Sequence, residues 1–415
     1  MVISLFSCTF AKFFYMEQTK GKGQGVRRAV DTTRHHRENG WDYRGRAVYH
    51  FTFPVEGRFP LFGTLEGESA ERAFIKLNPF GYRVYQILCG LPQFYAAKGF
   101  ALKVLAQKVM PDHIHLVIQV LEPLPQSIGA VVRGFKSACT MVYKQEFLSC
   151  GENAAEMHSI ANRQGNAAEM NGIANRQGNA AALMHFARIF ANRNSIWQQD
   201  AAYYHERILH APGQLNRMIN YVKDNPRRLW LKKNNPDLFR LHRHTEVCGL
   251  SFTSLGNHFL LDWHDNQTVE MPRNATVEQV QKRLQLAMAA AQNGAVTYTA
   301  AISKGEQLIA RTLRKQGYPL VVLLSDGFPK EGSPQERFYK PGGIYFEACS
   351  KGQLLLLEPT EQTFLNADIQ SAVEGTLRRK AAERHYDYKQ IPPTSQRYRF
   401  VALNEIAKRL ARIEQ

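Results

Sequence analysis

His113 and His115 stand two apart in VMPDHIHLVIQV, an otherwise apolar run at residues 109–120. In an extended chain successive side chains alternate between faces, so the two imidazoles project together while Ile114 turns the other way. That is a two-point grip for a metal, although a hydrogen-bonded pair or two surface residues would show the same spacing. Farther along, in INYVKDNPRRLW, helical periodicity puts Tyr221 and Asn225 one turn apart on one face. Both imidazoles and the Asn225 side-chain oxygen can ligate a hard divalent cation, and nitrogen ligands make Mn2+ as acceptable as Mg2+. The Tyr221 phenol then stands as a nucleophile.

These four groups together suit phosphodiester chemistry. A cation on a non-bridging phosphate oxygen withdraws charge and aligns the phosphate, while a tyrosine attacking in line stores the bond energy as a phosphotyrosine. Free tyrosine titrates near about pH 10, so metal and basic neighbours must favour its anion. Lys223, Arg227, Arg228, Lys232 and Lys233 follow closely in sequence, and with Lys136 they are the expected DNA-binding side chains, giving salt-dependent affinity. Each piece also has a plainer explanation. Tyrosine four before asparagine occurs on any amphipathic helix, and the basic run could be a solvated face that complements the helix dipole.

The elements that must position these groups read as follows. The chain has 415 residues, enough for two or three domains, and a globular hydrophobic fraction of 44%. Lys plus Arg outnumber Asp plus Glu by 53 to 36, a formal charge of +17, which favours polyanions or serves ordinary solubility. The six cysteines are scattered singly without a Cys-x-x-Cys pair, which suggests a reduced, cytoplasmic protein without a structural zinc site. No run of about 18 apolar residues is present to span a membrane. The apolar opening is broken by Lys12 and lacks a cleavage site, so Met16 is the expected start.

Residues 1–44 read as a basic, disordered leader. From Ala47, AVYHFTFPVEG reads as a strand and NPFGYRVYQILCGLPQFYAAKGF as a helix. Two β-like runs hinged at Pro111 follow, then a helix over QSIGAVVRGFKSACTMVYKQEF. The expected class of this half is α+β with an antiparallel sheet. Between about 150 and 195, NAAEMHSIANRQG recurs almost unchanged as NAAEMNGIANRQG, the mark of a recent tandem duplication. One repeat is too short to be a stacking unit, so this is read as a mobile linker inserted in a domain that resumes at IWQQD. Leu215, Met218, Ile219 and Val222 line a helix beginning after Pro212, which Asn225-Pro226 is expected to end. A new composition begins after about Arg243. VTYTA, SKGEQLIARTLRKQ and GYPLVVLLSDG form a strand-helix-strand unit of a parallel sheet, GQLLLLEP adds a buried strand, and LNEIAKRLARIEQ closes with a helix.

MPDHIHLVI resembles the His-hydrophobic-His signature of IS200-like single-tyrosine transposases, especially the REP-associated tyrosine transposases. VRGFKS, IWQQDAAYYHERIL and INYVKDNPRRLW continue in the order of that family, over residues 45 to 240. The resemblance implies a ferredoxin-like fold for 45–243, with His113, His115 and Asn225 as metal ligands and Tyr221 as nucleophile. It further implies Mg2+- or Mn2+-dependent cleavage and rejoining of single-stranded hairpin DNA through a 5′-phosphotyrosine with a free 3′-hydroxyl, by a monomer or homodimer. The repeat insertion and the extra alanines of AAYYHERIL depart from the pattern, and Tyr203 and Tyr204 are rival phenols. Residues 244–415 resemble the Rossmann-like domain of DNA-processing protein A. There the Ser303-Lys304-Gly305-Glu306 turn either presents a helix N-terminus to a phosphate or simply caps a helix. Two other readings stand: a DNA-binding protein that has lost turnover, and a nucleotide-binding enzyme centred on the C-terminal half.

Overall fold

The computed structural model describes residues 38, 40–145, 195–198, 205–333, 341–384 and 391–412. The leader up to residue 37, the repeat insertion and the rival phenols Tyr203 and Tyr204 lie outside the described residues. The chain has mixed α and β content and divides into two compact units, one of Asp31–Asn234 and one that includes Asn235–Gln415.

In the first unit an antiparallel sheet has the order β4-β5-β1-β6, built from β1 (Ala47–Pro54), β4 (Leu102–Val109), β5 (His113–Val120) and β6 (His205–Ile208). Helix α1 (Pro79–Ala96) connects β1 to β4, after a small hairpin of β2 (Gly63–Glu66) and β3 (Phe74–Leu77). Helix α2 (Gly129–Tyr143) lies between β5 and β6, and α3 (Gln214–Asn234) follows β6. Pleating sorts the strand residues. Tyr49, Phe51 and Phe53 of β1 and Ile114, Leu116 and Ile118 of β5 face one side, where they pack with Leu88 of α1 and Phe135 of α2. The intervening residues face α3, whose Val222 is buried with Val117 and Leu209 while Leu215, Met218 and Tyr221 pack around them. Helices on both faces explain why β1 is buried along most of its length rather than alternately.

Two details secure this half. Trp197 is fully buried among Phe53, Phe62 and Phe135, and its indole N–H donates to the Lys136 carbonyl at 2.9 Å. Gly134 in the VRGFKS segment lets α2 approach α1, because an added Cβ would fall 2.0 Å from the Tyr95 hydroxyl. Trp41 and Tyr43, inside the stretch read as leader, also pack against this core.

One expectation is corrected. Asn225-Pro226 does not end its helix, since α3 runs unbroken from Gln214 to Asn234 with Pro226 inside it. Proline removes the amide that would bond the Val222 carbonyl. One turn before Asn225, its side-chain amide donates to the Tyr221 carbonyl at 2.8 Å, an additional bond that does not serve the Val222 carbonyl.

The second unit is a larger mixed sheet of order β7-β8-β12-β11-β10-β9. Strands β9 (Asn266–Thr268), β10 (Val296–Thr299), β11 (Leu320–Leu323) and β12 (Leu354–Pro359) run parallel. They are joined by α4 (Val277–Gln292), α5 (Lys304–Lys315) and α6 (Gly343–Ser350). Strands β7 (His242–Val247) and β8 (Leu250–Gly256) extend the sheet antiparallel. After the short α7 (Glu361–Phe364), helices α8 (Ala367–Arg384) and α9 (Gln396–Ala411) pack Val373, Leu377, Ala402 and Ile406 against Tyr298, Val321 and Leu355. Among the described residues no helix is long and apolar enough to cross a membrane, and Cys89, Cys139, Cys248 and Cys349 are free thiols.

Candidate active site

Strand β5 pairs with β1 so that His115 lies opposite Thr52, and His50 opposite Val117. In antiparallel partners directly opposite residues share a face, so His50, Thr52 and His115 gather on the side covered by α3. His115 is 2% exposed and His50 7%. The Nε2 atoms of His113 and His115 approach to 3.1 Å. His113 Nδ1 lies 2.6 Å from Asp112 Oδ1, so the carboxylate takes the Nδ1 proton and leaves a lone pair on Nε2. His115 Nδ1 lies 3.0 Å from Thr52 Oγ1 and 3.1 Å from His50 Nε2, either of which can accept its proton. With His115 protonated on Nδ1, both Nε2 atoms present lone pairs to one point and can share a cation; with it protonated on Nε2, the two rings form a direct hydrogen bond.

The spacing fits a cation. Two nitrogens at about 2.1 Å from a metal in adjacent octahedral positions sit about 3.0 Å apart. Among the described residues no group of three or more His, Cys, Asp or Glu side chains is arranged to hold a metal. The protein donors available here are therefore two imidazoles and whatever neutral oxygen α3 supplies. Asp112 supports the pair from behind. Burial pushes its carboxyl pKa up, but the hydrogen bond and charge of His113, with Arg58 at 3.6 Å, outweigh burial and hold it below the ordinary value.

Helix α3 brings Tyr221 over this cluster. Its ring centre is 5.5 Å from that of His115 and 6.4 Å from that of His50, edge-on to both. The Arg228 guanidinium lies 5.5 Å from the same ring, in cation–π range. Asn225 is 5% exposed, and its amide nitrogen is committed to the Tyr221 carbonyl, which leaves Oδ1 as the atom able to face a cation. Tyr221, Asn225, Arg228 and Lys232 fall on one helical face by their spacing.

The other expected DNA contacts divide. Lys223 and Lys233 are exposed, whereas Arg227 forms a two-point pair with Asp224 at 2.6 and 3.0 Å. Lys136 is not brought to the cluster. It lies on α2, which covers the opposite face of the sheet, beside a 260 Å³ cavity bounded by Thr140, Lys144 and Ser195. Burial lowers its ammonium pKa to about 8.

His50, Thr52 and Asp112 were absent from the expected site. The signal for the first two was present, since His50 and Thr52 in AVYHFTF alternate as His113 and His115 do. In the second unit, the Ser303 turn caps α5. Ser303 Oγ accepts from the Glu306 amide at 3.2 Å, and the Glu306 carboxylate accepts from the amides of Ile302, Ser303 and Met271. The helix N-terminus is thus filled by its own carboxylate.

No family model matches this chain, and no curated protein does. Among solved structures, a crystal structure from Deinococcus radiodurans R1 described as a "putative transposase" aligns with 45% of this chain and 95% of its own. The identity is 13% and the TM-score 0.21. The reading of the site therefore rests on its own geometry.

Proposed function

We propose that the Asp31–Asn234 unit is the core of a single-strand DNA transposase, a nicking and joining enzyme of the REP-associated tyrosine transposase kind. The observation that carries this reading is the convergence of two imidazole Nε2 atoms, 3.1 Å apart, beneath a tyrosine delivered by a separate helix. Its βαββαβ order and antiparallel strand order suit a ferredoxin-like fold, and the four parallel strands of the second unit suit a Rossmann-like one.

In this reading His113, His115 and Asn225 Oδ1 hold Mg2+ or Mn2+, which when bound supplies electrophilic assistance at a non-bridging phosphate oxygen. The Tyr221 oxygen attacks phosphorus. A tyrosyl O–P bond forms as the P–O3′ bond breaks, the phenol gives up its proton, and the departing oxygen takes one to become a free 3′-hydroxyl. The 5′-phosphotyrosine is consumed when a 3′-hydroxyl attacks it in the reverse sense. Asp112 and Thr52 fix the imidazoles, Arg228 positions the Tyr221 ring, and Lys223, Lys232 and Lys233 attract DNA phosphates. The ligand is single-stranded DNA with hairpins, taken by a monomer or a homodimer.

Labelled hairpin oligonucleotides drawn from the DNA flanking the gene test this. Cleavage that requires Mn2+ or Mg2+, leaves a 3′-hydroxyl and is lost in Tyr221→Phe is expected. A second reading, hairpin binding without turnover, is favoured because, among the described residues, no group of three or more His, Cys, Asp or Glu side chains is arranged to hold a metal. Tight binding with no cleavage at any Mn2+ concentration would establish it instead.

A further inference from the structure

The second unit contains a 680 Å³ cavity that the transposase reading does not use. It lies where β9 and β10 end, lined by the segments that follow them, Glu270–Arg273 and Ile302–Ser303, and by α8 and α9. Crevices outside the carboxyl ends of parallel strands are where open α/β sheets bind ligands, and this volume lies within the usual range of about 300–1,000 Å³ for small molecules. The backbone just before the lining residue Ile302 is constrained, since Ala301 has φ of 47°, an uncommon value for a residue with a side chain.

The lining has a charged side and an apolar side. Arg273, Lys380 and Arg397 carry positive charge, and Ile302, Leu377 and Phe400 form the apolar wall. Both carboxylates are engaged within the wall. Glu306 accepts three backbone N–H groups, and Glu270 lies 3.5 Å from Lys380 and 2.8 Å from Lys408. Because Glu306 already fills the N-terminus of α5, an anion entering the cavity must be met by side-chain cations. Arg273 stands ready for this, with its guanidinium carbon 5.6 Å from the centre of the Phe400 ring. Cation–π contact holds the guanidinium in place and leaves its in-plane N–H groups for two oxygens of an anion.

We propose that this cavity binds a small phosphate monoester with a flat organic body, of nucleoside 5′-monophosphate size. The phosphate sits against Arg273 and Arg397, and the organic body lies on Phe400, Ile302 and Leu377. This site is independent of the histidine–tyrosine cluster and stands whether or not that cluster cleaves DNA.

The test is calorimetric titration of the full chain with the four ribonucleoside 5′-monophosphates, the matching nucleosides, inorganic phosphate and an eight-nucleotide oligothymidylate. The protein would be wild type, Arg273→Glu, Phe400→Ala and His113→Ala. Arg273 is exposed, so charge reversal there leaves the core intact. At least one monophosphate is expected to bind with a Kd below about 1 mM, weakened about tenfold or more by Arg273→Glu and also weakened by Phe400→Ala. The matching nucleoside should bind less tightly, and His113→Ala should change nothing. Failure of every monophosphate to bind, or affinity unaltered in Arg273→Glu, overturns the assignment. So does binding of the oligonucleotide alone, which would make the cavity a nucleic-acid contact.

Discussion

Asp112 gives the most graded prediction about the histidine pair. Its carboxylate lies 2.6 Å from His113 Nδ1 and is steadied by Arg58 at 3.6 Å. A carboxylate behind a ligating histidine fixes the tautomer and raises ligand basicity, and losing such a partner costs about 10–100-fold in metal affinity. Asp112→Asn keeps an oxygen that can accept the Nδ1 proton but loses the charge, so the lower end applies: about tenfold, or about 1.4 kcal/mol. Asp112→Ala loses both and frees the ring to rotate, so about 100-fold is expected. The measurement is Mn2+ titration followed by the electron paramagnetic resonance signal of the free ion, with His113→Ala as the reference for loss of a ligand. If Asp112→Ala bound Mn2+ as tightly as wild type while His113→Ala did not bind it, Asp112 would be only a partner of Arg58. Equal Mn2+ binding by all four proteins would show that the imidazoles hold no cation.

Other expected outcomes concern stability. Asp112 has a folded pKa below its ordinary 3.8, so the stability it contributes is present above that value and is lost as pH falls through the depressed one. Denaturant midpoints of wild type and Asp112→Asn should therefore converge in acid. Lys136 is the opposite case, because burial lowers its pKa from 10.5 to about 8, so its charge opposes folding at neutral pH. After discounting for its partial exposure, Lys136→Met should stabilise by about 1–2 kcal/mol at pH 7. That gain should shrink as pH rises from 8 towards 10.5, because neutralising the lysine removes the same penalty. Glu306→Ala would leave the amides of Ile302, Ser303 and Met271 without their acceptor and should cost about 2–4 kcal/mol, read from urea unfolding of the second unit.

Much of the architecture was legible because periodicity dictates it. The alternation in HIHLVIQV set which side chains share a face, and the strand-helix-strand pattern around SKGEQLIARTLRKQ set the parallel sheet. Local rules failed where tertiary packing overrode them. Pro226 should break a helix, but Val222 and its neighbours Leu215, Met218 and Tyr221 are packed with Val117 and Leu209, so α3 continues. The site was half legible. His113, His115, Tyr221 and Asn225 lie close in sequence in pairs, whereas His50 and Thr52 join them only through the β1–β5 register, which is a long-range fact. Lys136 lies apart from them on α2, and nothing in VRGFKS says which face of the sheet its helix covers.

The most direct measurement of the central claim is mass spectrometry of the protein after reaction with single-stranded hairpin DNA and Mn2+. The enzyme would be digested and the peptide carrying a nucleotide sequenced. The account predicts a phosphodiester-linked nucleotide on Tyr221, absent without metal and absent in Tyr221→Phe. A nucleotide on Tyr203 or Tyr204, or a cleaved substrate with no tyrosyl adduct, would contradict it.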